Sequence, residues 1–245
     1  MCCKTCLCGI IGMAKKQISE LKSIEETADI WKALTPDQAE YLKNNFQVLN
    51  IRKNEIIYAE GEEPSHLLCL VSGKVKIYKE GVGGRSQIVR IIKPFEFFGY
   101  RAMFAEELYV TNAAAFEPSV VYSIPEDIIL NLIKNNNDLA FSFIKFLAVD
   151  LGISDSRTVN LTQKHIRGRL AESLLFLKEN YGLEGDGATI SIYLSREDLA
   201  SLSNMTTSNA IRTLSIFSNE KIISIDGRKI KIIDEEKLRK ISKIG

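Results

Sequence analysis

The spacing of apolar residues changes character three times along the chain. From residue 15 to 46 they recur at three and four, as Ile18, Leu21 and Ile24 and then Ala39, Leu42 and Phe46. That spacing predicts two short helices, and "TPDQ" gives the second Thr35 as its cap and Pro36 at its first position. From Val48 the period falls to two. "VLNI", "EIIYAEGEE", "HLLCLVSGKVKIYKE", "SQIVRIIK" and "SVVYSIP" are β-branched and aromatic runs divided by Gly, Pro and charged corners. The connections are too short for crossover helices, so a compact all-β unit fits and a parallel sheet does not. At Asp138 helical spacing returns and lasts about seven turns through "DLAFSFIKFLAVDLGISDSRTVNLTQ", with Asp138 as the expected cap.

The stripe Leu139, Phe143, Phe146, Leu147, Leu151 and Ile153 on this long helix extends farther than one small β unit can cover. A second copy of the helix is the preferred cover, and packing on its own domain is the alternative. Another helix, "KHIRGRLAESLLFLKENYG", stops at Gly182 before the turn-rich "LEGDGA". Ser195 then caps a helix with Asp198 at its third position, and Leu199 and Leu202 form the buried side. "SNM" turns a corner into a helix from about Thr206 that is expected to bury Ala210, Ile211, Leu214 and Phe217. "KIISIDGRKIKIID" reads as a hairpin with its turn at Asp226 and Gly227. Two helices on a short turn followed by a two-stranded wing form a winged helix-turn-helix, whose second helix enters the DNA major groove.

Charge adds modest support. Residues 164 to 245 hold 14 Lys and Arg against 11 Asp and Glu, a surplus of +3 in a chain whose total is +1, which leaves −2 for the remainder. The longest apolar runs, such as "LLCLV", fall far short of the roughly 20 residues a membrane helix needs, so no membrane association is expected. Four of the five cysteines crowd into "MCCKTCLC" and the fifth, Cys69, lies in an apolar run. That arrangement is no disulfide framework. Together with the lack of a signal-peptide pattern it points to a reducing cytoplasm.

In this order of elements the chain resembles the cyclic-AMP receptor and fumarate-nitrate regulator (Crp-Fnr) family of bacterial transcription factors over roughly residues 30 to 235. "EGEEPSHLLCLVSGKVKIY" is similar to the family's strand pair, with Gly61 at a corner and Gly73 in the tight turn. "FEFFGYRAMF" lies where the family's phosphate-binding stretch lies. "IRGRLAESLLFLKENYG" and "LSREDLASLSNMTTSNAIRTLSIFSNEKIISIDGRKIKI" follow the linking helix, helix-turn-helix and wing without a gap. The resemblance implies an α+β fold. A tail and helix over 1–28 precede a cyclic-nucleotide-binding-like β-roll (a double-stranded jelly roll) over 29–137, a dimerisation helix over 138–163 and a winged helix-turn-helix over 164–245. It also implies a homodimer on double-stranded DNA, an RNA polymerase contact and a small-molecule effector of unknown identity. The sequence requires no cofactor.

Departures from the family pattern sharpen the expectation. Members that bind cyclic AMP place a Glu after the phosphate-loop Gly and an Arg-Ser pair downstream; here Tyr100 follows Gly99, and "YVTNAAAF" puts Thr111 and Asn112 in the downstream stretch. A buried anion without its cation loses its strongest contact, so cyclic AMP is not the expected effector. Phe98, Gly99, Tyr100, Arg101, Thr111 and Asn112 form the candidate effector pocket; Arg101 is the one cation among them, and a structural ion pair is its commoner use. On the recognition helix the acid-and-Arg pattern of the family is replaced by Thr207, Ser208 and Arg212. Arg212 suits guanine O6 and N7, whereas Ser208 lacks the charge of an acid. Ser195, Arg196, Thr206 and Asn209 suit phosphate oxygens, Asn209 also an adenine edge, and Arg228 and Lys229 suit phosphate from the wing.

The family's oxygen sensors hold an iron-sulfur cluster on N-terminal cysteines and one later cysteine. Cys3, Cys6 and Cys8 match the first group, but Tyr122 occupies the later place, and Cys2, Cys3, Cys6 and Cys8 alone make a cramped site. The favoured reading is a tail without metal, with Met13 as an alternative start; redox or metal sensing is the alternative. Catalysis is not expected. His66 and His165 are far apart in sequence, and "GVGG" at 81 to 84 has no following helix to bind a nucleotide phosphate. A sensory module that makes protein contacts without binding DNA is the second functional reading.

Overall fold

The computed structural model describes residues 29–81 and 84–244. A 3-10 helix, Asp29–Ala33, leads into α1, Pro36–Asn45. Thr35 caps α1 as expected: its side chain accepts from the Gln38 backbone, the Gln38 side chain accepts from the Thr35 backbone, and Pro36 sits in the first turn. The earlier predicted helix and the cysteine-rich stretch lie outside the described residues.

Eight strands follow, in two four-stranded antiparallel sheets. The first has the order β1 (Gln47–Ile51), β8 (Ser119–Pro125), β3 (His66–Ser72), β6 (Phe97–Phe98). The second has β2 (Ile56–Tyr58), β7 (Asn112–Ala115), β4 (Val75–Glu80), β5 (Ser86–Ile92). Strand β3 shows why the unit has two cores. Leu67, Cys69 and Val71 pack with Trp31, Leu42 and Phe143 on the helical side. Leu68 and Leu70 point the other way, to Tyr58, Val75, Phe98 and Val121 between the sheets. Cys69 is a buried apolar member of this strand. β3 and β4 are consecutive but lie in different sheets rather than pairing with each other. Gly73 allows the passage: its φ is +90°, and a Cβ there would lie 2.3 Å from Ser119 Oγ.

Helix α2 (Tyr100–Ala105) interrupts the strands, and α3 (Glu126–Lys134) joins β8 to the long helix α4, Asn137–Gln163. Asn136, not Asp138, caps α4; its side-chain oxygen accepts from the Leu139 backbone at 2.9 Å. The predicted stripe also divides. Leu139 and Phe143 are buried in their own roll, with Phe146 and Leu147 packed on the same cluster, while Leu151 and Ile153 are exposed. Phe141 (69% exposed), Ile144 and Leu151 (62%) form the open apolar line.

Then come α5 (Ile166–Tyr181), α6 (Arg196–Leu202), α7 (Thr207–Asn219), the hairpin β9 (Ile223–Asp226) and β10 (Lys229–Ile232), and α8 (Glu235–Ile244). Asp226 pairs with Lys229, so the hairpin turn is Gly227-Arg228, one residue later than the sequence reading, with Gly227 at φ +56°. Helix α8, absent from the sequence reading, packs along α5 and buries Leu238. The two halves meet at β5. Ile88 and Ile91 join the core formed by α5 to α8, the Ile88 backbone donates to Ser201 Oγ at 2.7 Å, and that hydroxyl donates to the Ser86 carbonyl at 2.8 Å.

Candidate nucleic-acid interface and the adjoining cavity

Helices α6 and α7 are set at an angle by Ser203, Asn204 and Met205. Asn204 takes φ +49°, and Met205 is buried beneath the corner. Two arginines from outside hold this turn. Arg169 of α5 donates to the Ser203 carbonyl at 3.1 Å and the Asn204 carbonyl at 2.9 Å, and Arg157 of α4 reaches the Leu202 carbonyl at 3.4 Å. Ser195 caps α6, accepting from the Asp198 backbone at 3.0 Å, and its hydroxyl donates to the Asp198 carboxylate at 2.7 Å. Asp198 also takes Lys76 of β4 at 3.0 Å, a further tie between the halves.

Thr206 caps α7, accepting from the Asn209 backbone at 3.3 Å. Ala210, Thr213, Leu214 and Phe217 face inward. Ile211 does not: it is 48% exposed, contrary to the sequence reading, beside Ser208 and Arg212 on the open side of the helix. Arg212 donates to the Asn209 side-chain oxygen at 3.1 Å, so the one long cation of this face is steered by the amide one turn earlier. At the other end, Arg167 forms a two-bond pair with Glu220 at 2.9 and 2.8 Å and lies 5.2 Å over the Phe217 ring, bracing α7 on α5. Hydrogen bonds from Arg167 hold the Glu220 carboxyl below its ordinary range, against the opposing effect of burial.

The structure brings four of the expected DNA-facing residues around one hollow. Ser195, Arg196, Thr207 and Arg228 border one hollow of about 360 Å³ between the start of α6, the start of α7 and the wing turn. Arg228 is exposed. Arg196 is turned to the wing: one terminal nitrogen donates to the Gly227 carbonyl at 2.7 Å, and Nη1 is shut off from solvent with no partner among the described residues.

A larger cavity, about 770 Å³, lies between the roll, α4 and α5. Phe98, Gly99, Tyr100, Arg101 and Thr111 of the expected pocket line it. Asn112 does not; its side chain accepts from the Glu60 backbone at 2.9 Å. Arg101 pairs with Glu107 at 2.9 Å. Tyr100 is buried; its hydroxyl donates to Asp150 of α4 at 2.6 Å and accepts from Arg90 at 2.5 Å, while Arg90 pairs with Asp150 at 2.6 Å. Burial raises the Tyr100 phenol far above its usual range, although Arg90 opposes the shift. Tyr58 and Tyr109 stack at 3.8 Å deeper in the roll, and burial pushes the Tyr58 phenol up to about 12. Sequence patterning gave no sign of the Arg90, Tyr100 and Asp150 cluster, because its members are brought together from three elements.

Comparison with known proteins agrees with this architecture. Residues 48–136 match the cyclic nucleotide-binding domain family, and residues 168–241 match the Crp-like helix-turn-helix domain family. The CRP-like cAMP-activated global transcriptional regulator of Mycobacterium tuberculosis is 24% identical over 212 residues, covering 86% of this chain and 95% of its own. The anaerobic regulatory protein of Bacillus subtilis is 27% identical over 195 residues, covering 79% and 82% respectively. The structure of FixK2 from Bradyrhizobium japonicum superposes with a TM-score of 0.72 at 22% identity, over 80% of this chain and 96% of that one.

Proposed function

Because the chain belongs to the Crp-Fnr family of bacterial transcription regulators, we propose that it acts as an effector-controlled homodimer in the cytoplasm that reads a specific DNA sequence through α7. The observation that carries this reading is the open face of α7, where Thr207, Ser208, Ile211 and Arg212 stand together on a helix capped by Thr206. Arg212 has the reach and the fork for a guanine edge, and Ile211 offers an apolar surface to a thymine methyl. Thr206, Thr207, Ser208 and Asn209, being short, let the helix N-terminus come close to phosphate; Ser195 and Arg228 flank the same surface.

Dimerisation is supported by Phe141, Ile144 and Leu151, which leave an apolar line on α4 that a second copy would cover. Two recognition helices so held must match successive major grooves about 34 Å apart, and an effector that favours one arrangement of the α4 pair shifts the population that can bind. Cyclic AMP does not fit this role. The position of the expected ribose ligand is Tyr100, already tied to Asp150 and Arg90, and no Arg-Ser pair stands downstream. As in other members of the family, RNA polymerase is the expected protein partner.

The test is a nuclease footprint of the full chain, with and without effector extracts, beside the Arg212→Ala variant. Protection of a two-fold-related site by the native chain, lost in the variant, is the expected outcome. Protection by neither chain would favour a sensory module that acts through protein contacts.

A further inference from the structure

The cavity between β5, α4 and α5 holds more positive charge than its own carboxylates neutralise. Among the described residues, each acid lining it already has a basic partner: Asp150 has Arg90, Glu172 has Lys164 at 2.7 Å, and Glu96 has Lys93 at 3.8 Å. Arg157 and Arg169 line the same cavity and have no carboxylate partner there; both guanidinium groups donate to backbone carbonyls instead. Arg157 donates to the Ile88 carbonyl at 2.7 Å and reaches the Leu202 carbonyl at 3.4 Å. Burial, with Arg90 nearby, lowers its pKa to about 10, as expected of a cation without an anion. Carbonyl dipoles take the hydrogen bonds of its Nη2 but leave the charge uncompensated, which is costly in a partly buried place. Val89, Ile153 and Phe176 add apolar wall to the same space.

We propose that this cavity binds a small amphipathic organic anion, its carboxylate or phosphate on Arg157 and its apolar body against Val89, Ile153 and Phe176. The inference deepens the effector-controlled reading above and rests on it for its biological meaning. It places the anion beside α4 and α5 instead of on the Thr111 side of the roll. An anion on Arg157 also competes with the Leu202 carbonyl at the end of α6, so the seat lies at the junction through which the roll touches the helix-turn-helix.

The experiment is calorimetric titration of the full chain, without DNA, by 1-naphthyl phosphate, 1-naphthaleneacetate and the uncharged 1-naphthalenemethanol. At least one anion is expected to bind tenfold or more tightly than the alcohol, and the better anion identifies the head group. Arg157→Gln should remove that margin and leave the alcohol's affinity in place. Val89→Trp, at a half-exposed position, should weaken all three ligands at least fivefold, and it serves as the deciding variant if Arg157→Gln does not fold. Equal binding of alcohol and anions, binding of none, or affinities unchanged by Val89→Trp would overturn the proposal. Since no DNA is present, a chain that failed to footprint would defeat the previous reading while these titrations still decided this one.

Discussion

Arg212 and Arg196 stand a few residues from the same corner, yet their surroundings give them different work. Arg212 is exposed and steered by Asn209, so Arg212→Ala should cost roughly 1 to 3 kcal/mol on the preferred site and relax the preference at one guanine in a binding selection. Arg196 donates to the Gly227 carbonyl, which ties the wing to α6 and leaves the guanidinium charge uncompensated. Arg196→Ala should therefore lower wing stability by about 1 kcal/mol, read by hydrogen exchange in β9 and β10, and also reduce the salt slope of DNA binding. Arg228→Ala, at an exposed position, should reduce the salt slope by about one and leave wing stability unchanged. Glu220 titrates as a lowered carboxyl: its folded pKa lies below the ordinary 4.5, so its contribution is present above that pH and is lost as pH falls through the folded value. Glu220→Gln should make unfolding less steeply dependent on pH below about 4.5. At this scale the sequence disclosed the caps Thr35 and Ser195, because capping depends on neighbours three residues away, but it placed the cap of α4 at Asp138 where Asn136 makes it. It did not disclose Arg157, Arg169 or the Tyr100 cluster, whose partners lie on other elements.

Elements with a strong period were legible and those without one were not. Strands β3 and β5 are long runs of apolar and β-branched residues and are legible in the sequence, whereas β7 is "NAAA", too short and too small to stand out although it lies between β2 and β4. Helix α4 reads as one stripe in the sequence, but Leu139, Phe143, Phe146 and Leu147 belong to the roll core, while Phe141, Ile144, Val149, Leu151, Ile153 and Val159 are exposed; residues of both kinds are apolar, so pattern alone could not separate them. The distinction gives paired predictions. Ile144→Asp with Leu151→Asp should yield a folded monomer in sedimentation, while Phe143→Asp should lose several kcal/mol of stability, at least the about 3 to 5 typical of removing a buried Phe. In the β3–β4 passage, Gly73→Ala should cost roughly 1 to 3 kcal/mol from backbone strain alone, with the clash at Ser119 in addition, measured by urea unfolding.

At the scale of the molecule, the order of roll, long helix and winged helix-turn-helix could be read from the sequence, but the way the halves dock could not. Docking depends on Ser201, a polar residue inside a helix, meeting the backbone of β5, and on Lys76 meeting Asp198. Ser201→Ala leaves a buried Ile88 N–H and Ser86 carbonyl without that partner, a loss of about 1 to 3 kcal/mol. Calorimetry should then show the roll and the DNA-binding half melting farther apart than in the native chain. An anion seated on Arg157, as proposed above, would meet the contact that Arg157 makes with the Leu202 carbonyl of α6. If two copies of α7 read a defined sequence, as proposed, selection of binding sites from random duplex DNA by the purified full chain tests it most directly. The expected outcome is enrichment of an inverted repeat with half-sites one helical turn apart and a guanine whose preference disappears with Arg212→Ala. Recovery of no enriched sequence, or of the same sequence by the Arg212→Ala variant, would contradict it.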